Sequence, residues 1–200
     1  MRITAAAVLA VAVAAPAFSQ PVQEPRSGVP FADKVGNMSL LGVALRTKTM
    51  LKVKVYACGL YVADSALAGS LAAYKGKPAS KELYRELVSG DFEKQITMKF
   101  TRDLSSDQIQ GGFRESLSSA NADASKSNLF VQYFNDVKSG QEATIHWVPP
   151  GTLEVNVAGL GKPPIPDRKF AEAVLSIWLG DKPVQDDIKR DLVSRFAPAK

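Results

Sequence analysis

The sequence predicts an α+β domain in which an antiparallel sheet carries a layer of helices on one face. Three observations predict it. Two early segments, Met38 to Arg46 and KVKVYACGLYV (Lys52 to Val62), have the alternating or apolar pattern of strands. The middle of the chain changes to helical spacing, and a late strand pair, ATIHWV and TLEVNVAG, precedes two further helical stretches. Strands and helices segregated in this way favour α+β over alternating βα units.

The chain opens with MRITAAAVLAVAVAAPAFSQ: one basic residue, then an unbroken small-apolar run from Ala5 to Ala15. Small residues at 17 and 19 suit a signal peptidase, so residues 1–19 are expected to be a cleaved signal segment. The run is shorter than the roughly 20 apolar residues a spanning helix requires. The expectation is an exported protein, periplasmic or secreted and, from the alanine-rich signal, bacterial, with no membrane span once the signal is removed. Residues 20–34 begin QPVQEPRSGVP, rich in proline and polar groups, and are expected to form a flexible leader before a domain over 35–198.

Met38 to Arg46 is the first strand, and TKT is expected to turn the chain into the second. That second strand starts as strict Lys/Val alternation and stops alternating at Tyr56, so it begins half wet and ends buried on both faces. Past Asp64, Leu67, Leu71 and Tyr74 mark a helix stopped by Lys75-Gly76-Lys77-Pro78. Ser80 caps the next, with Leu83, Leu87 and Val88 on one face and Gly90 at its end. EKQITMKFT (93–101) alternates again, with Ile96, Met98 and Phe100 on one side. Ser105 caps a longer helix carrying Ile109, Phe113 and Leu117, and Leu129 to Val137 is a second amphipathic piece around Phe130, Tyr133 and Phe134. The hairpin turns at Pro149-Pro150-Gly151. Phe170, Val174 and Ile177, then Ile188, Leu192 and Phe196, mark the last two helices.

Composition excludes several kinds of chemistry. With one histidine and one cysteine, a conventional zinc site is unavailable, and no other cofactor or metal motif occurs. His146 lies beside Trp147 in a strand with no nucleophile elbow anywhere, and reads as structural. Lone Cys58 cannot form an internal disulfide and reads as a small buried hydrophobe. Gly159-Leu160-Gly161-Lys162 is followed by two prolines, which have no N–H to offer a phosphate. The net charge of +5 comes from basic residues scattered among acids, without the clustered stripe of a nucleic-acid binder. Asp186-Asp187 sit at a helix start, where they complement the dipole.

VKVYACGLYVADSALA, the later SGDFEK and AVLSIWLGDKPVQDDIKRDLVSRF together resemble the chalcone isomerase fold family, in particular its exported bacterial branch. The resemblance runs from about Leu40 to Phe196. It implies an open-faced β-sandwich: a large antiparallel sheet covered by a layer of helices, with a ligand cleft between. Its enzymes close chalcones to flavanones with an arginine, hydroxyl groups and an asparagine. Those positions fall here on Arg46, Tyr56, Ile109, Ser116 and Ile177, which keep little of that set, so the resemblance implies no catalytic residue. Non-catalytic relatives bind fatty acids, an arginine and a tyrosine on neighbouring strands holding the carboxylate. Arg46 and Tyr56 fit that arrangement, with Ile109, Ile177 and Trp178 along the apolar remainder. The expected partner is then a small amphipathic ligand such as a fatty acid. The alternatives are an isomerase or intramolecular lyase in which Arg46 and Tyr56 polarise a carbonyl, and a ligand-free interaction protein. Taken alone, Arg46 is a solvated strand-end arginine and Tyr56 a core tyrosine.

Overall fold

The computed structural model describes residues 20–48 and 51–198, so the expected signal segment lies outside the described residues. Its centre is one antiparallel sheet. The long hairpin β4 (Met38–Lys48) and β5 (Val53–Ala63) is followed outward by β6 (Lys94–Phe100), β7 (Glu142–Val148), β8 (Thr152–Val157) and the short edge strand β10 (Ile165–Pro166). On the other side β3 (Lys34–Val35) pairs with β4, and β9 (Leu160–Gly161) pairs with β8. Helices α2 (Lys81–Ser89), α3 (Ser106–Ser119), α4 (Ala124–Val131) and α5 (Arg168–Leu179) pack on one face, and α6 (Asp186–Asp191) crosses β4. This is the α+β architecture that the periodicities predict.

The caps also agree with the sequence. Ser105 accepts a bond from the Gln108 N–H while the Gln108 side chain accepts from the Ser105 N–H, a reciprocal capping box. Ser80 caps α2 through the Leu83 N–H.

Four boundaries differ. Thr47 and Lys48, expected in a turn, continue β4. The helix marked by Leu67, Leu71 and Tyr74 is split by Gly69 into α1 (Asp64–Ala68) and a single 3-10 turn at Ala72–Tyr74. Helix α4 starts earlier than its apolar residues, because Asp123 caps it through the Lys126 N–H. The last helical stretch ends at Asp191, with the buried Leu192 and Phe196 in turns beyond it.

The larger correction concerns residues 20–34, which are folded rather than loose. β1 (Val22–Gln23) and β2 (Pro30–Phe31) pair into a small hairpin. The Glu24 carboxylate, itself only 1% exposed, ties the turn together, accepting from the Ser27 N–H at 2.7 Å and the Ser27 hydroxyl at 2.6 Å. The polar residues that suggest disorder are thus the turn's internal partners. The hairpin lays Phe31 on the outer face of β4 and β5, against Leu40, Val43, Ala57 and Tyr61. That second apolar cluster is why β5 ends buried on both faces.

On the helix face lies a buried lysine. Lys94 shares the inward side of β6 with Ile96 and Met98 and is fully enclosed. Its Nζ donates to the Gly90 carbonyl at 2.7 Å and to Val88 at 3.4 Å, the free carbonyls at the end of α2. The Trp147 ring centroid is 3.4 Å away and that of Phe92 4.4 Å. Burial nonetheless pushes the ammonium down to about 6, from an ordinary value of 10.5. A lysine whose folded value lies below its unfolded one makes the unfolded state bind more protons between those limits, so stability rises with pH there. The denaturant midpoint is therefore expected to climb from about pH 6.5 to about pH 8.5, and Lys94→Met to flatten that climb. An unchanged slope in the variant would assign the effect elsewhere.

Candidate functional site

A cavity of about 540 Å³ lies between the sheet and α3. Its floor comes from the open ends of β4, β5 and β6, its roof from one face of α3, and its side from the end of α5 and the loop after it. Arg46, Tyr56, Ile109, Ser116 and Ile177 all line it. The structure thus brings these five side chains to one cavity. Trp178, expected on the apolar wall, is instead fully buried behind it.

Arg46 and Tyr56 are direct cross-strand partners, so both side chains leave the same face of the sheet. The next pair is Thr47 with Lys54, which leaves Val55 as an extra residue, a β-bulge. The bulge explains why alternation stops at this point in the sequence. Before it Val53 faces the cavity, and across it Val55 and Tyr56 both do.

The hydrogen bonds leave donors free where a ligand would need them. Arg46 donates from Nη1 only, to the Thr47 carbonyl at 2.6 Å and to Gln185 Oε1 at 3.0 Å. Its Nε and Nη2 have no protein partner among the described residues, and these two share the edge that grips a carboxylate with parallel N–H bonds. Gln185 precedes α6 and also accepts from the Thr47 N–H at 3.0 Å, which fixes the guanidinium against the strand. The Tyr56 oxygen accepts from Trp178 Nε1 at 3.1 Å. Its own O–H hydrogen has no acceptor among the described residues and is free to donate to a ligand. Burial pushes the phenol well up, by more than the Trp178 N–H and the Arg46 guanidinium draw it down, so it stays a protonated donor.

Ser116 contributes less than its position suggests, because its hydroxyl donates to the Gly112 carbonyl at 2.9 Å. Ile109, Phe113, Ile177, Met98 and Phe100 make the deep part of the cavity apolar. The exposed lining residues, Lys48, Arg102, Gln108, Glu115, Ser119 and Lys182, mark its mouth. Three of those six are cations, and among the described residues none of the three has an ion-pair partner.

Two features escaped the sequence reading. One is this cationic rim, whose members lie far apart in the chain and meet only through the fold. The other is Gly112, in mid-helix on the cavity wall, where an added Cβ would meet nothing within 4 Å. Glycine there costs α3 about 1 kcal/mol of helix propensity relative to alanine. Gly111-Gly112 inside an otherwise helical pattern was the available signal.

The remaining candidates lie away from this cavity. His146 sits on the opposite face of the sheet, its Nε2 2.9 Å from Glu93 and its Nδ1 3.4 Å from Glu154. Cys58 is a free, buried thiol among apolar neighbours. No cluster of three or more His, Cys, Asp or Glu side chains that could hold a metal occurs among the described residues.

Comparison with known proteins bears on the family and the fold. The chain is 26% identical to a chalcone–flavanone isomerase of Saussurea medusa over 166 residues, 72% of each protein. It is also 26% identical to chalcone–flavanone isomerase 1A of Glycine max, over 96% of this chain and 95% of that one. Among solved structures, a fatty-acid binding protein of Arabidopsis thaliana superposes with a TM-score of 0.76 at 20% identity, covering 87% of this chain and 96% of that one. Residues 27–194 match the family described as chalcone isomerase-like, and the chain belongs to that family.

Proposed function

We propose that this protein is an exported, non-catalytic binder of a fatty acid or a similar amphipathic carboxylate. One observation carries the reading. At the mouth of an apolar cavity, an unpaired guanidinium edge and a free phenol O–H come from directly paired residues. A carboxylate between them takes three charge-assisted or strong hydrogen bonds, and its chain lies along Ile109, Phe113 and Ile177. The fatty-acid binding protein that shares the fold supports the same reading. The export element rests on the opening segment, and a bacterial periplasm is the compartment it fits.

The relatives named chalcone–flavanone isomerase favour a second reading, in which Arg46 and Tyr56 polarise the ketone of an enone. It lacks a further donor where Ile109 and Ile177 stand. A turnover assay on chalcones is expected to show no rate above that of Arg46→Ala, and a rate well above it would replace the binding reading.

Gly112→Leu provides the direct test. The new side chain grows into open cavity and removes a helix-interior glycine. Stability is expected to rise by about 0.5–1 kcal/mol while fatty-acid affinity falls at least about tenfold. Thermal unfolding and displacement of a fluorescent fatty acid measure the two. Native mass spectrometry of the wild-type protein purified from its own cells should show carried lipid, and the variant should show less. Unchanged affinity in Gly112→Leu would mean the ligand does not use this cavity.

A further inference from the structure

Lys48 and Val53, which pair across the base of the β4–β5 hairpin, both line the cavity, so the described tip residues Leu51 and Lys52 stand beside its mouth. There Leu51 is 87% exposed, while large apolar side chains elsewhere in the strand pair are buried or half-buried. Lys52 beside it adopts a left-handed φ of 50°, uncommon for a residue with a side chain. A single exposed leucine is ordinary on a protein surface. Here it is set among cations: Lys48 and Lys52 flank it on the hairpin, and Arg102 and Lys182 stand at the same cavity mouth. The acids nearby are Glu115 on the rim, Asp186 and Asp187 beside the hairpin base, and Asp103 and Asp181, chain neighbours of Arg102 and Lys182; Asp187 is occupied by Arg26 and Asp103 by Lys138, each at 3.0 Å.

We propose that this tip docks the protein on an anionic lipid bilayer, with Leu51 inserted among the headgroups and the surrounding lysines and arginine against their phosphates. An apolar wedge ringed by basic side chains matches the chemistry of a membrane interface, where the leucine gains burial and each cation gains attraction. Docked in this way, the cavity mouth opens onto the bilayer. An amphipathic carboxylate then passes between membrane and cavity, its headgroup moving from the lipid surface to Arg46, without its chain crossing water. The surface needs no spanning segment, and no described helix is long and apolar enough to cross a membrane. The role in transfer rests on the lipid-binding reading of the cavity, whereas the docking itself does not.

Co-sedimentation of the full protein with vesicles tests it, using phosphatidylcholine alone or mixed with phosphatidylglycerol. The wild type is expected to sediment with the mixed vesicles, much less with the neutral ones, and progressively less as salt is raised. Leu51→Asp should lower partitioning at least about tenfold, and Lys52→Glu several-fold. Affinity for a fluorescent fatty acid in solution should be unchanged in Leu51→Asp, because Leu51 does not line the cavity. A wild type that ignores mixed vesicles, as a surface shaped for an acidic protein would, overturns the proposal. So does a Leu51→Asp variant that sediments like wild type. Vesicle binding without fatty-acid affinity in solution would leave the docking surface standing and remove the cavity reading instead.

Discussion

Arg46→Met is expected to weaken fatty-acid binding about a hundredfold while leaving the fold nearly as stable as before. Methionine keeps much of the arginine stem's volume and removes all five N–H donors. A carboxylate already drawn into an apolar recess then loses its charge partner, which typically costs about 3 kcal/mol, or two decades of affinity. The folded protein loses little, because among the described residues the guanidinium makes two bonds, both from Nη1 and both at the cavity edge. Unfolding midpoints and ligand titrations of the same preparation measure both quantities. A tenfold or smaller loss of affinity would assign the carboxylate to Lys48, Arg102 or Lys182 at the rim instead.

Tyr56→Phe should behave differently. It removes the donor to the ligand, and it also removes the acceptor of Trp178 Nε1, leaving a buried N–H unpaired at about 1–3 kcal/mol. Affinity and stability fall together in that variant, and only affinity falls in Arg46→Met. In the double variant the two affinity losses should not add, because both groups are proposed to hold one carboxylate.

Why these two residues were visible in the sequence while the rim was not has a physical basis. Strand alternation is a local signal, and its interruption at Tyr56 marks a real bulge that turns Val55 and Tyr56 to one side. Arg46 is marked by the family resemblance rather than by any local period, and the structure pairs it directly with Tyr56. The helices were equally legible wherever a cap and an apolar stripe coincide, as at Ser105 with Ile109 and Phe113. Lys48, Arg102 and Lys182 have no shared local pattern. They meet because a strand end, a post-strand loop and a post-helix loop converge, which no period reports. The N-terminal hairpin was missed for another reason. Proline, glycine and polar residues read as disorder, yet Glu24 uses that polarity to close a tight turn, and Phe31 supplies the apolar anchor.

Gly42 links this architecture to the site, and Gly42→Ala is expected to damage both. Gly42, Ala44 and Arg46 are paired with Leu60, Cys58 and Tyr56, and so occupy the face of β4 that meets α6. The first two are small, and α6 settles almost onto the strand's backbone. A Cβ at position 42 would collide with the Asp191 carbonyl oxygen and lie 2.7 Å from the Leu192 carbonyl carbon and 2.8 Å from its oxygen. Those obstacles are backbone atoms at the end of a helix, so no rotamer change relieves them, and α6 must lift away. Overpacking of this kind costs about 1–3 kcal/mol or more. For a domain of this size that lowers the midpoint of thermal unfolding by roughly 2–12 °C. Lifting α6 also carries away Gln185, which anchors Arg46 and the Thr47 N–H. Ligand affinity should therefore fall even at temperatures where the variant is fully folded, although residue 42 does not line the cavity. Gln185→Ala is the matching control: a similar loss of affinity with a smaller loss of stability identifies the helix's grip on Arg46 as the route. If Gly42→Ala unfolds early but binds normally while folded, α6 holds the sheet together and has no part in orienting the guanidinium.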